Sequence, residues 1–276
     1  MKKLILNVFL LISILSVSGS SYALDFIKFG TSHDSGFWGT PNVTFSPFPS
    51  TVQYLQQRGK NELASVALTD DNVLAAFRGQ FGTFEAVVIS ESINGISPGA
   101  YALFNQFVSG GGCLILTGDH ASGEDEFLNN TFGYSVGVID VQIGVDTFPI
   151  QPGASGTQFA GGPANLTAAN QTSAFSNTPG DVIYSGTTGV GVFTDQFGEG
   201  TVTAIGWDYC CTPPNDPNEI LAWFEVINRA FDTECATFTP VTNPIPTLSE
   251  WGLIAMAGIL GMIGLFAVMR RRKVTA

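Results

Sequence analysis

The chain has 276 residues and a formal net charge of −12, with 11 Lys and Arg against 23 Asp and Glu. That balance excludes nucleic acid as a partner, because phosphate backbones are neutralised by clustered Lys and Arg. It excludes an anionic lipid surface on the same ground, while the length allows one ordinary domain with a sizeable core.

The N-terminus reads as an export signal. Lys2 and Lys3 precede an apolar stretch from Leu4 to Val17, and Ser21-Tyr22-Ala23 puts small residues at both key positions of a cleavage site. The pattern predicts a secretory signal helix over 1–23, taken up by the export machinery and cut by signal peptidase after Ala23. Six of the eleven basic residues lie in the two ends, with one of the 23 acidic ones, so the body between them is near −17.

Within the body, Phe26 to Gly30 (FIKFG) predicts a short strand running into a polar turn. Thr51 to Gly59 reads as helix, and Asp70 to Phe77 has the acidic start of a helix N-terminus. Phe84 to Ser90 (FEAVVIS) is a buried strand followed by Glu91. Ser97-Pro98 opens a helix through Val108, which Gly110-Gly111-Gly112 ends. Cys113 to Thr117 (CLILT) is another buried strand, followed by Gly118-Asp119-His120, and Glu124 to Phe132 a short helix. Asp70-Asp71 and Glu124-Asp125-Glu126 read as acids that complement a helix dipole. From Ser135 to about Gly200 short alternating stretches such as Val138 to Val145 and Val182 to Ser185 predict a β-rich excursion. Gly200 to Trp207 (GTVTAIGW) is a strand ending at Asp208, and Asn218 to Phe231 is an amphipathic helix with Ile220, Leu221, Trp223, Phe224 and Ile227 on its apolar face. Continuous apolar strands separated by helices predict an α/β domain over 24–236, a flavodoxin-like parallel sheet carrying the β-rich excursion.

Residues 237–244, rich in Thr, Pro and Asn, form a linker. Ile245-Pro246-Thr247-Leu248-Ser249-Glu250-Trp251-Gly252 follows, then an uncharged run to Met269, then Arg270-Arg271-Arg272-Lys273. The 19 residues from Trp251 to Met269 would span roughly 28 Å as a helix, close to the thickness of a bilayer's hydrocarbon core. The basic cluster belongs on the cytoplasmic side, which places the body on the far side of the membrane. Residues 245–273 resemble the IPTL-CTERM tail, a relative of the PEP-CTERM tails that exosortases handle in Gram-negative bacteria; Ile245, Pro246, Thr247, Leu248, Trp251 and Gly252 carry the resemblance. It implies export, a membrane-held stage with transmembrane helix 251–269, and processing by an exosortase-type enzyme towards the cell surface.

The body is similar to glutamine-amidotransferase-like, flavodoxin-like α/β domains, on the stretches FEAVVISES, FNQFVSGGGCLILTGD, FLNNTFGYS and GTVTAIGWD. It departs from them in chemistry. Amidotransferases of that class place a Cys nucleophile on a G-x-C-x-G elbow between strand and helix. Here Cys113 follows Gly111-Gly112 but starts a strand, and no elbow surrounds any of the four cysteines. The resemblance therefore implies the fold without that activity.

In open parallel sheets ligands sit beyond the carboxyl ends of the strands. The strand assignment puts His33, Asp34, Glu91, Asp119, His120 and Asp208 there, including both histidines of the chain. Carboxylates beside imidazoles could perform acid–base work or hold a divalent metal; equally, Asp at loop ends commonly caps the next helix. No HExxH, P-loop or GxSxG motif accompanies them, and no cofactor is predicted. The cysteines of an exported chain invite disulfides. Cys113 starts a strand at the amino edge of the sheet, and the last helix should return the chain there. Cys113–Cys235 is thus the expected bridge, with Cys210 and Cys211 free or paired with each other. The alternative ties Cys210 or Cys211 to Cys235. Two functions fit these features: a displayed, non-catalytic ligand- or matrix-binding module, or an extracytoplasmic hydrolase or carbohydrate-active enzyme using the acid and His residues at the strand ends.

Overall fold

A computed structural model describes residues 23–30, 50–90, 95–118, 123–142, 144–168, 172–207 and 217–238. The expected leader, apart from Ala23, and the tail from residue 239 lie outside them. Among the described residues no helix is long and apolar enough to cross a membrane, and the expected span 251–269 is not among those residues.

The elements are β1 (Leu24–Phe29), α1 (Thr51–Gln56), β2 (Lys60–Val66), α2 (Asp70–Phe77), β3 (Ala86–Ser90), α3 (Pro98–Ser109), β4 (Cys113–Thr117), α4 (Glu124–Phe132), β5 (Gly137–Val141), β6 (Thr147–Pro149), β7 (Asn165–Thr167), β8 (Thr172–Ser176), β9 (Asp181–Ser185), β10 (Val190–Phe197), β11 (Gly200–Ile205) and α5 (Pro217–Ala230). Local chemistry sets the helix starts. Ser50 and Gln53 form a reciprocal capping box on α1, Thr69 caps α2, and Ser97 caps α3 with Pro98 in its first turn. Each cap satisfies an amide that the first helical turn cannot.

One sheet of nine strands organises the molecule, in the order β2-β1-β3-β4-β11-β10-β8-β5 with β9 paired to β10. The first five are parallel, and their order is that of a doubly wound sheet, in which the chain changes direction between β1 and β3. The remainder are antiparallel. The five are the expected parallel sheet, and the antiparallel strands extend it into one mixed sheet. Most of the β-rich segment is hydrogen-bonded into the same sheet, and only β6 and β7 form a separate pair. Strand β2 (KNELASV) carries no strand signal in the sequence, being half-exposed and without a continuous apolar run.

Alternation along the central strands builds two cores. Phe26, Ala86, Val88, Ile115 and Ile205 face α1, α5 and the β6–β7 segment. Ile27, Phe29, Val87, Ile89, Leu114 and Leu116 face α2, α3 and α4. The apolar face expected for α5 is buried at Ile220, Trp223, Phe224 and Ile227, while Leu221 is exposed; Trp223 Nε1 donates to Thr167 O at 3.0 Å and so pins β7.

At the amino edge the chain after α5 crosses beneath β3 and β4. Cys235 is bonded to Cys113, with Cα atoms 5.5 Å apart. Ala236 N donates to Gly111 O and Phe238 N to Phe84 O, each at 2.8 Å, and Thr237 Oγ1 donates to Glu85 Oε1 at 2.8 Å. The Phe238 ring packs against Phe77, Phe84 and Phe107. Residues 237 and 238, part of a linker by composition, are thus held against the sheet.

Candidate functional site

The carboxyl ends of β1, β3, β4 and β11 lie side by side, with Phe29 opposite Ile89, Ser90 opposite Thr117, and Thr117 opposite Ile205. The six sequence candidates follow these ends in the chain: His33 and Asp34 after β1, Glu91 after β3, Asp119 and His120 after β4, Asp208 after β11. All six lie outside the described residues, as do Cys210 and Cys211. What the structure establishes is the common edge from which their segments depart.

That edge is built from polar residues removed from water. Lys28, Ser50, Ser90, Thr117, Glu124 and Ser173 are each at most 1% exposed. Lys28 stands in β1, and its Nζ donates to Gly30 O at 2.5 Å. Ser90 Oγ donates to Phe29 O at 3.2 Å, and Thr117 Oγ1 to Ile89 O at 3.3 Å. Each of these hydroxyls thus satisfies a carbonyl near the end of the neighbouring strand. Farther along, Ser173 Oγ donates to Glu124 Oε1 at 2.6 Å, and Ser173 N donates to Gly206 O at 2.6 Å. Close packing requires glycine at two points. A Cβ on Gly30 (φ +118°) would lie 1.5 Å from Ser90 O, and one on Gly206 1.8 Å from Ser173 O.

Burying an ammonium or a carboxylate is costly unless partners replace water. Lys28 and Glu124 are kept at the carboxyl edge of a doubly wound sheet, the edge at which open α/β sheets bind ligands. Such groups can orient a polar ligand or stabilise charge on it. Neither was singled out for this role from the sequence. Lys28 had a signal, being one of only five basic residues in the body and set in the apolar run FIKFG. Glu124, expected as a dipole acid at the helix start, is instead fully buried, while Asp125 and Glu126 are at least partly exposed. Asp70, expected in the same role, does sit in the first turn of α2, and its Oδ1 also accepts from Ser97 N at 2.8 Å.

Cys113 lies at the opposite edge and is oxidised, so it is not a nucleophile of the amidotransferase kind.

A second polar knot lies in the antiparallel half. Asp146, 7% exposed, accepts from Thr147 N at 2.8 Å, Thr187 Oγ1 at 3.2 Å, Thr188 N at 2.7 Å and Thr188 Oγ1 at 2.5 Å. Burial raises its pKa, but these bonds prevail and lower it to about 2. The carboxylate ties β6 to the β9–β10 turn, a structural task. In α1, burial and a hydrogen bond to Glu225 push Tyr54 up to about 12; its hydroxyl bridges α1 to α5 at 3.0 Å.

Comparison with known proteins gives one sequence match and a fold. The IPTL-CTERM motif matches residues 243–272. No curated protein matches the chain in sequence. Among solved structures, the Salmonella typhimurium cytoplasmic protein STM3548 is similar with a TM-score of 0.52 at 11% identity, covering 78% of this chain and 100% of that one. The cytoplasmic protein STM1381 from Salmonella typhimurium LT2 gives 0.50 at 13% identity, covering 77% and 100%. A protein described as thua-like, from Parabacteroides merdae, gives 0.48 at 12% identity, covering 81% and 92%. At such identities the likeness is one of fold alone. The chain is an α/β body that carries an IPTL-CTERM motif at its C-terminal end.

Proposed function

We propose that this is an exported bacterial protein, held for a time by its C-terminal segment, that presents its α/β body outside the cytoplasm as a ligand- or matrix-binding module. The IPTL-CTERM match at 243–272 carries the reading. In it, residues 1–23 direct export, helix 251–269 holds the membrane, and an exosortase-type enzyme acts at the motif. The binding edge is the carboxyl end of the parallel strands, where Lys28 and Glu124 sit buried and from which the segments with His33, Asp34, Glu91, Asp119, His120 and Asp208 depart. Support for binding without catalysis comes from Cys113, whose sulfur is committed to a disulfide at the far edge.

One observation favours a second reading, an extracytoplasmic hydrolase. Four strand ends followed by carboxylates and both histidines are adjacent in the sheet, as convergent acid–base groups would require.

The test has two arms. Full-length protein expressed in a Gram-negative host with an exosortase is fractionated beside a Pro246→Ala/Trp251→Ala variant. The wild type should reach the envelope and lose its tail; a variant processed equally well overturns the sorting role. In the second arm, thermal midpoints are measured with Zn2+, Mn2+ or Ca2+ for the wild type and for His33→Ala/His120→Ala. A metal-dependent rise in the wild type alone favours the hydrolase, and no response in either favours the binding module.

A further inference from the structure

A groove of about 460 Å³ runs between α3 and α4 on the outer side of the helical layer, lined by Pro98, Tyr101, Ala102, Asn105, Gln106, Asn130 and Thr131. It shares no residue with the carboxyl-edge candidates, and its size suits a small-molecule site. We propose that this groove binds a neutral saccharide.

The lining chooses the ligand. No charged side chain borders the groove, so metal ions find no carboxylate there, and the acidic body disfavours phosphates and uronates. Three side-chain amides line it, and each such amide donates and accepts at once, as sugar hydroxyls do. Asn105 is positioned by its own Nδ2, which donates to Thr131 O at 2.8 Å and ties the two helices together. Gln106 and Asn130 are exposed and so available to a ligand. Thr131 is only 4% exposed, and its hydroxyl has no hydrogen-bond partner among the described residues. That hydroxyl is closed off from solvent, so it belongs to the wall of the groove and not to its contact surface. Tyr101, 7% exposed, is held edge-to-face on Phe127 and contributes only a small part of its surface to the groove wall. A purely apolar ligand would strand the amides. A peptide would require a free strand edge or deep apolar pockets, and two helices flanking an amide-lined groove offer neither.

The inference rests on the reading of the body as a binding module, but its failure can be told apart from failure at the carboxyl edge, which the metal titration tests separately. Full-length protein in a sugar-free detergent is titrated calorimetrically with maltohexaose, cellohexaose, mannohexaose and galactohexaose, and with hexagalacturonate as the charged control. The expected result is binding of at least one neutral hexaose, with Kd on the order of 0.1–1 mM, weakened about tenfold in Gln106→Ala/Asn130→Ala, and no binding of hexagalacturonate. Both substituted side chains are exposed, so the variant should keep the wild-type thermal midpoint. Three results overturn the inference: no neutral hexaose binding at about 10 mM, equal affinity in the double variant, or tighter binding of a Gly-Ser peptide than of any hexaose.

Discussion

Glu124 and Asp146 are both carboxylates buried against hydroxyl groups, and both are open to test by substitution. Glu124 accepts from Ser173 where α4 meets β8. Replacing it with Ala leaves Ser173 without that acceptor and opens a void, at a cost of about 2 kcal/mol. Glu124→Gln retains an acceptor and should cost less than half of that in urea unfolding. Asp146 predicts a pH dependence. Its folded pKa of about 2 lies below the ordinary 3.8, so its contribution is complete above about pH 4 and is lost as the pH falls from there towards 2. The shift corresponds to ~2 kcal/mol. Unfolding free energies measured at pH 5 and pH 2 should therefore diverge more in the wild type than in Asp146→Asn; equal slopes would refute the assignment. Neither role could be read from sequence. A glutamate at a helix start looks the same whether it faces solvent or a neighbouring strand, and the Thr187 and Thr188 partners of Asp146 lie some 41 residues away.

At the level of elements, periodicity located what runs of apolar residues can locate. FEAVVIS, CLILT and GTVTAIGW are strands, and Asn218 to Phe231 covers the last helix, because burial on both faces or along one stripe leaves a pattern in the chain. Strand β2 and the pairing of β10 with β8, β9 and β11 do not follow from such patterns. The amino edge was readable by geometry, since a strand start and a returning helix meet there. The Cys113–Cys235 bond closes a separation of 122 residues, and on the loop-entropy account its removal should cost about 4–5 kcal/mol. Urea unfolding of Cys113→Ser/Cys235→Ser against the oxidised wild type measures this. The double variant should also loosen residues 235–238, seen as faster amide exchange at Ala236 and Phe238, whose N–H groups bond to Gly111 and Phe84. Unchanged exchange would mean that the Phe238 aromatic cluster holds the strap alone.

For the molecule as a whole, the IPTL-CTERM motif speaks to destination and the body to architecture. The chain divides after Thr239 into the body and the segment Pro240–Ala276. If that segment is the membrane hold, a chain ending at residue 242 should be secreted in soluble form, whereas full-length chain pellets with membranes; immunoblots of the two fractions decide it. The Cys113–Cys235 bond then acquires a mechanical meaning. Tension on the tail enters the body at residues 235–238 and passes through the bond into β4, a central strand of the sheet. The covalent shortcut takes the stretch from β4 to α5 out of the line of pull. A domain tugged by its tether would therefore resist by shearing a central strand rather than by unwinding its last helix.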